Sequence, residues 1–256
     1  MSATLGGLIK DYRRQKDISQ LEVATYMGWK EPSRLSRIEQ GRVGKPSRET
    51  LEKLMNALQL NEEERNSILF VGGYQPNQKE VDEARKKMKD PVDNWPFPAG
   101  CRDYTWRIIY SNKKLNDLYQ IPVVFQKKME IEMPTIPELT LDPHFILNQN
   151  INEDRKQFLL RMLAHFKHDL HGYTKEKWYQ DLIQRLMRNE IFRGLWPEID
   201  TSKIGQTDLG NFGLKDAPSN KGTLNFYFFI VPLFKDPRFQ IEFYIPSDEK
   251  TMKYFS

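Results

Sequence analysis

Between residues 18 and 42 the chain reads ISQLEVATYMGWKEPSRLSRIEQGR, and this stretch leaves little freedom in how the first quarter of the protein folds. Ser19 with Glu22 three residues on is a capping box: the serine hydroxyl takes the backbone N–H of Glu22, and the glutamate takes that of Ser19. The helix it opens turns Leu21, Ala24 and Met27 inward and stops at Gly28, a residue free to adopt the left-handed conformation. Pro32 starts the next helix, because a first-turn residue has no use for its N–H, and Gly41 ends it after about nine residues. Two capped helices joined at a glycine by a short turn are a helix-turn-helix pattern.

Helical periodicity continues on both sides. Leu5, Leu8, Ile9 and Tyr12 fall at i, i+3, i+4 and i+7, the spacing of one buried helix face. Ser47 caps a helix carrying Leu51, Leu54, Met55 and Leu58, and Asn61 with Glu64 opens a last one through Ile68 and Leu69. The sequence therefore predicts an all-α, five-helix helix-turn-helix domain over residues 1–73. Residues 74–98 change character, with a charged run VDEARKKMKD that can form an exposed helix and then PVDNWPFP, and read as a linker.

Residues 99–256 mix periods and predict a second, α+β domain with an antiparallel sheet. Trp106, Ile108 and Tyr110 alternate with Thr105, Arg107 and Ile109 as in a strand, and NKKLNDLY after them is helical. Phe158, Leu159, Met162, Leu163 and Phe166 mark one amphipathic helix, and Trp178, Leu182, Ile183 and Leu186 another beginning near Thr174. Leu224, Phe226, Phe228 and Ile230 share one strand face. Phe239, Ile241, Phe243 and Ile245 alternate with Gln240, Glu242 and Tyr244 in a second strand, after the turn FKDPR. One face of this pair is expected under helices and the other partly wet.

If Leu35 and Ile38 face the core, a 100° step per residue puts Ser33, Ser36 and Arg37 on the opposite side of their helix, with Arg34 on its flank. Arg binds guanine O6 and N7 in bidentate fashion and Ser reads a base edge or a phosphate, so this face suits the major groove of double-stranded DNA. Lys30 precedes it. Gln20, at the start of the preceding helix, is placed for a phosphate, and Arg42, Lys45 and Arg48 for sequence-independent contacts that weaken with salt.

The bulk chemistry sets outer limits. A net charge of +4 on 256 residues is too mild to prove a polyanionic partner by itself. The single Cys101 excludes an intramolecular disulfide and a thiolate-rich zinc cluster, in keeping with a reducing cytoplasm, and reads as a packed thiol. No apolar run approaches the roughly 18 to 20 residues that span a bilayer, and the N-terminus lacks the charged-then-apolar order of a secretory signal. No membrane association is expected, and a cytoplasmic location is.

Other signals fall short of chemistry. His165, His168 and His171 are spaced three apart and miss the i, i+4 pattern of a catalytic zinc helix, and His144 stands alone. The glycines of GQTDLGNFG lack the order of a nucleotide-binding loop. No GxSxG elbow occurs, Cys101 has no identifiable histidine partner, and the EIE at 130–132 reads as solvated surface. No catalytic constellation, cofactor or metal site is expected, and the chain does not read as an enzyme.

The SQ that opens the second helix, the glycine at the turn and the closing SRIEQGR resemble the Xre or lambda-repressor-like family of helix-turn-helix regulators over about residues 5–72. PSRETLEKLMNALQL agrees as well, while the turn GWKEPS runs one residue longer than is usual there. In the second half PAGCRDYTWRIIYSN, EIFRGLW and the terminal strand pair resemble the MmyB-like ligand-binding domain. That resemblance implies a PAS-like fold, a small antiparallel sheet wrapped by helices around an apolar cavity that accepts small, often fatty, ligands. Trp106, Ile108, Phe192, Trp196, Phe226 and Phe228 are the candidates to line such a cavity, or to fill it as ordinary core.

Together these readings lead to a transcription regulator whose DNA binding responds to a small apolar ligand, acting as a homodimer on half-sites roughly 34 Å apart. The alternative keeps the DNA module and gives the second domain only dimerisation or a protein partner, with its core filled.

Overall fold

The computed structural model describes residues 4–142, 155–202, 204, 211–214 and 223–256. It divides into two compact units, Met1–Gln75 with Leu233–Arg238, and Pro76–Pro232 with Phe239–Ser256.

The first unit is a bundle of α1 (Leu5–Gln15), α2 (Gln20–Tyr26), α3 (Ser33–Glu39), α4 (Arg48–Ala57) and α5 (Glu62–Val71). The capping boxes at Ser19 and Asn61 both form, and Ser47 caps α4 through the backbone N–H of Thr50. Gly28 and Gly41 take φ of 67° and 65°. Each is followed by a residue whose N–H reaches back five positions, Trp29 to Ala24 and Arg42 to Arg37, the bonds that close a helix C-terminus around a left-handed residue. α3 spans seven residues, shorter than its sequence suggests, because Pro32 is the cap and not the first helical residue.

Leu8, Ile9, Tyr12, Val23, Leu35, Ile38, Leu51, Leu54 and Ile68 form one buried core. α1 crosses α3 at a glycine: a methyl group on Gly6 would press on the carbonyl oxygens of Ile38 and Glu39, 2.8 Å from the latter. The unit also holds the segment Leu233–Arg238. There the fully buried Arg238 donates to Asp236 and to Asn66 Oδ1 on α5, while Asn66 Nδ2 donates to the carbonyl of Lys235.

The second unit begins at Pro76, and this amends the reading of residues 74–98 as a linker. Asn77 makes a capping box with Glu80 and opens α6 (Gln78–Asp93), whose Val81, Ala84, Met88 and Val92 are buried against the sheet. The charged run is the solvent face of an amphipathic helix.

The sheet has five antiparallel strands, β1 (Ala99–Asp103), β2 (Ile108–Ser111), β3 (Asn211–Leu214), β4 (Leu224–Pro232) and β5 (Phe239–Pro246), in the order β2-β1-β5-β4-β3. The single strand expected across 101–111 is a hairpin. Buried Asp103 accepts from the N–H groups of Thr105 and Arg107 and from the Thr105 hydroxyl, which folds the chain back, and Trp106 sits at φ 69° in that turn. Around the sheet lie α7 (Lys113–Leu118), α8 (Val123–Glu132), α9 (Ile136–Thr140), α10 (Arg155–Asp169), α11 (Lys177–Leu186), α12 (Glu190–Leu195) and α13 (Glu249–Tyr254). The helix expected from Thr174 starts at Lys177, after a 3-10 turn at His171–Tyr173.

β5 is the central strand and is covered on both faces, so its predicted wet side is dry. Phe243 packs on Trp95, while Glu242 and Tyr244 are buried on the opposite face with Phe226. β4 differs. Leu224 and Phe226 are buried, whereas Tyr227, Phe229, Ile230 and Val231 are exposed.

Candidate nucleic-acid interface

The exposed surface of α3 and the turn before it is cationic. Leu35 and Ile38 point into the core and Ser33, Arg34 and Arg37 into solvent, with Ser36 half-buried between them. Lys30, Arg34, Arg37 and Arg42 are exposed and carry no ion pair among the described residues, so none of their charge is neutralised by the protein. Arg34 is not loose: its guanidinium carbon lies 4.7 Å from the centroid of the Trp29 ring. At that distance the cation is attracted to the face of the indole.

The hydroxyls are partly engaged. Ser36 Oγ accepts from Gln40 Nε2 at 2.8 Å and keeps its own proton to donate, while Ser33 Oγ lies 3.2 Å from Glu31 Oε2.

Beneath this surface a buried carboxylate fixes α3 in place. Glu39 takes Arg13 Nε at 2.6 Å and Nη2 at 3.1 Å from α1, and Gln20 Nε2 at 2.8 Å from α2. Gln20, expected at a phosphate, thus has one amide proton committed to the fold. Its bond to Glu39 sets the spacing of the two helices of the motif, a role that its position in the sequence does not reveal.

Lys45, although exposed, and the half-buried Arg48 are likewise engaged by the protein itself. Lys45 Nζ donates to the carbonyl of Gly73 at 3.1 Å and lies 4.0 Å from the Tyr74 ring centroid, and Arg48 Nη1 donates to the carbonyl of Gln75 at 2.8 Å. They tie the end of the unit to the start of α4. Of Arg42, Lys45 and Arg48, which follow α3, Arg42 has no such tie among the described residues.

In the second unit the six residues expected around one cavity fall into three packed groups. Trp106, Phe192 and Trp196 belong to the core under α10 and α11, Phe226 and Phe228 to a cluster with Leu224 and Tyr244, and Ile108 to one with Ile121 and Met129. A cleft of about 540 Å³ opens between β2 and α8, where Ile108 meets polar neighbours including Ser111, Asn116 and Gln126. A second, of about 410 Å³, is lined by Arg107, Glu132, Glu138 and Arg185 among others.

The interior of this unit holds an ionic cluster that sequence reasoning missed, its members being far apart in the chain. Buried Arg102 donates from Nε to Glu242 at 2.7 Å, approaches Asp169 at 3.5 Å, and stacks on Trp106, whose indole N–H donates to Asp169. Burial raises Glu242 above the ordinary carboxyl range despite the guanidinium beside it.

Burial also pushes the Cys101 thiol well up and so withholds its thiolate, and it lowers His165. His171 Nδ1 lies 2.9 Å from the carbonyl oxygen of His168, and among the described residues no group of three His, Cys, Asp or Glu side chains is placed to hold a metal ion. His144 and all but the strand residues of GQTDLGNFG lie outside the described residues. No described helix is long and apolar enough to cross a membrane.

Two helices, the first opened by a capping box and each followed by a left-handed glycine, packed in a five-helix bundle with the second of them cationic, define a helix-turn-helix domain, the module by which regulators engage DNA. Residues 4–68 match a family described as helix-turn-helix domain. A comparison with curated proteins found no match.

Proposed function

We propose that the protein is a sequence-specific, DNA-binding transcription regulator of the Xre type. α3 enters the major groove, Arg34 and Arg37 read base edges with Ser33 and Ser36, and Lys30 and Arg42 contact phosphates. The observation that carries this reading is the group of four exposed, unneutralised cations on and beside α3. The second unit, with its antiparallel sheet flanked by helices, acts as a PAS-like, MmyB-like sensor that alters DNA binding when a small apolar ligand enters it. Two copies bind a pseudo-palindromic site, since one such module covers little DNA by itself.

The test pairs selection from a random duplex library with native mass spectrometry of the purified protein. Recovery of one inverted-repeat motif, and a stoichiometric apolar adduct, support the two halves of the proposal. A library returned without enrichment removes the first half. Absence of an adduct, with no thermal shift across fatty acids, removes the second.

A second reading gives the C-terminal unit only dimerisation or a protein partner. The exposed Tyr227, Phe229, Ile230 and Val231 on β4, together with the separation of the six candidate ligand residues into three packed clusters, favour it.

A further inference from the structure

The cationic surface around α3 contains one discordant group. Between Trp29 and Arg42 the acidic residues are Glu31 and Glu39; Glu39 is buried with Arg13, which leaves Glu31 as the one exposed carboxylate among Lys30, Arg34, Arg37 and Arg42. It pairs with none of those cations. Its described partner is the hydroxyl of Ser33, 3.2 Å away, which holds the carboxylate beside the start of α3.

A carboxylate brought against a polyanion lowers affinity unless it meets a hydrogen-bond donor. In the major groove the base-edge donors are the amino groups of cytosine N4 and adenine N6. Adenine presents its N7 acceptor next to that amino group and so repels the second carboxylate oxygen, whereas the cytosine ring offers no acceptor on this edge. We propose that Glu31 selects cytosine at one position of each half-site and excludes the other bases there by repulsion. This rests on the reading of α3 as the element that enters the groove.

The chemistry of the neighbouring amide makes the inference testable. A glutamine at this position would pair in bidentate fashion with adenine N6 and N7. Selection from a random duplex library with the full-length protein, Glu31→Gln and Glu31→Ala should return the same half-site with a single change. Cytosine is expected for the native residue, adenine for Glu31→Gln and no preference for Glu31→Ala, with relative selection at that position altered by about tenfold or more. Glu31→Ala should also bind unrelated duplex more tightly than the native protein. Because Glu31 is exposed, both variants should fold, and far-ultraviolet circular dichroism verifies this. Identical motifs from all three proteins would overturn the inference while leaving the DNA-binding function standing. No enrichment by the native protein would remove both.

Discussion

Arg13 on α1 and Glu39 on α3 form a two-point ion pair, with Nε and Nη2 of the arginine at 2.6 and 3.1 Å from the two carboxylate oxygens. Both side chains are nearly out of solvent, at 12% and 2% exposure. Gln20 joins the same carboxylate from α2, so one acidic residue ties together three helices of the DNA-binding unit.

Removing one member of a buried pair strands the other, which costs about 3–5 kcal/mol. Arg13→Ala should therefore lower the urea midpoint of the first unit strongly, because Glu39 is left with one neutral donor. The double variant Arg13→Met, Glu39→Met should recover much of the loss. A double variant as unstable as the single would show that the contacts, and not the uncompensated charge, are what matter.

Gly6 makes a prediction of opposite kind, since nothing charged is involved. A methyl group there meets backbone carbonyls of α3, which cannot rotate away as a side chain would. Gly6→Ala should cost about 1–3 kcal/mol through overpacking, against the gain of a few tenths to 1 kcal/mol that alanine brings to an unconstrained helix. Thermal unfolding decides the sign, and a raised midpoint would mean that α1 slides on α3 without penalty.

The basic residues should separate by role in a salt titration of DNA binding. Arg37→Ala should relax base preference and cost about 1–3 kcal/mol on the specific site. Arg42→Ala should weaken all duplexes alike and reduce the slope of log affinity against log salt by about one. Lys45→Ala should act mainly on stability, because its ammonium holds Gly73 and Tyr74. A larger slope change for Lys45→Ala than for Arg42→Ala would reverse these two assignments.

The second unit should carry a pH signature from Glu242. Burial raises its native carboxyl above the unfolded value, so the folded state binds the proton more tightly. The stability this confers is complete below the unfolded carboxyl value and is lost as pH rises through the raised native one. Glu242→Gln should flatten the part of the stability profile that lies above the ordinary carboxyl value, measured by thermal denaturation over a pH series. An unchanged slope would mean that Arg102 offsets the desolvation of Glu242.

What the sequence determined by itself is local. Ser19 with Glu22, Asn61 with Glu64 and the glycines at 28 and 41 act through bonds within five residues, so the helices of the first unit and the exposed cationic one among them were legible before any packing was known, but the inward face of α2 was not: Leu21, expected inside, is exposed, and Val23 is buried with Ala24. The tertiary structure decided whatever depends on partners distant in the chain. It turned the run after Asn77 into a packed helix, because the buried stripe of Val81, Ala84, Met88 and Val92 has a sheet to cover. It covered both faces of β5, which erased the alternation that one-sided burial would have imposed. It drew Gln20, Lys45 and Arg48 into bonds with residues 19 to 28 positions away and dispersed the aromatic candidates of the second unit among three clusters. A cap is a contract between neighbours in sequence, whereas the fate of a long polar side chain depends on which backbone carbonyl or carboxylate the fold brings within its reach.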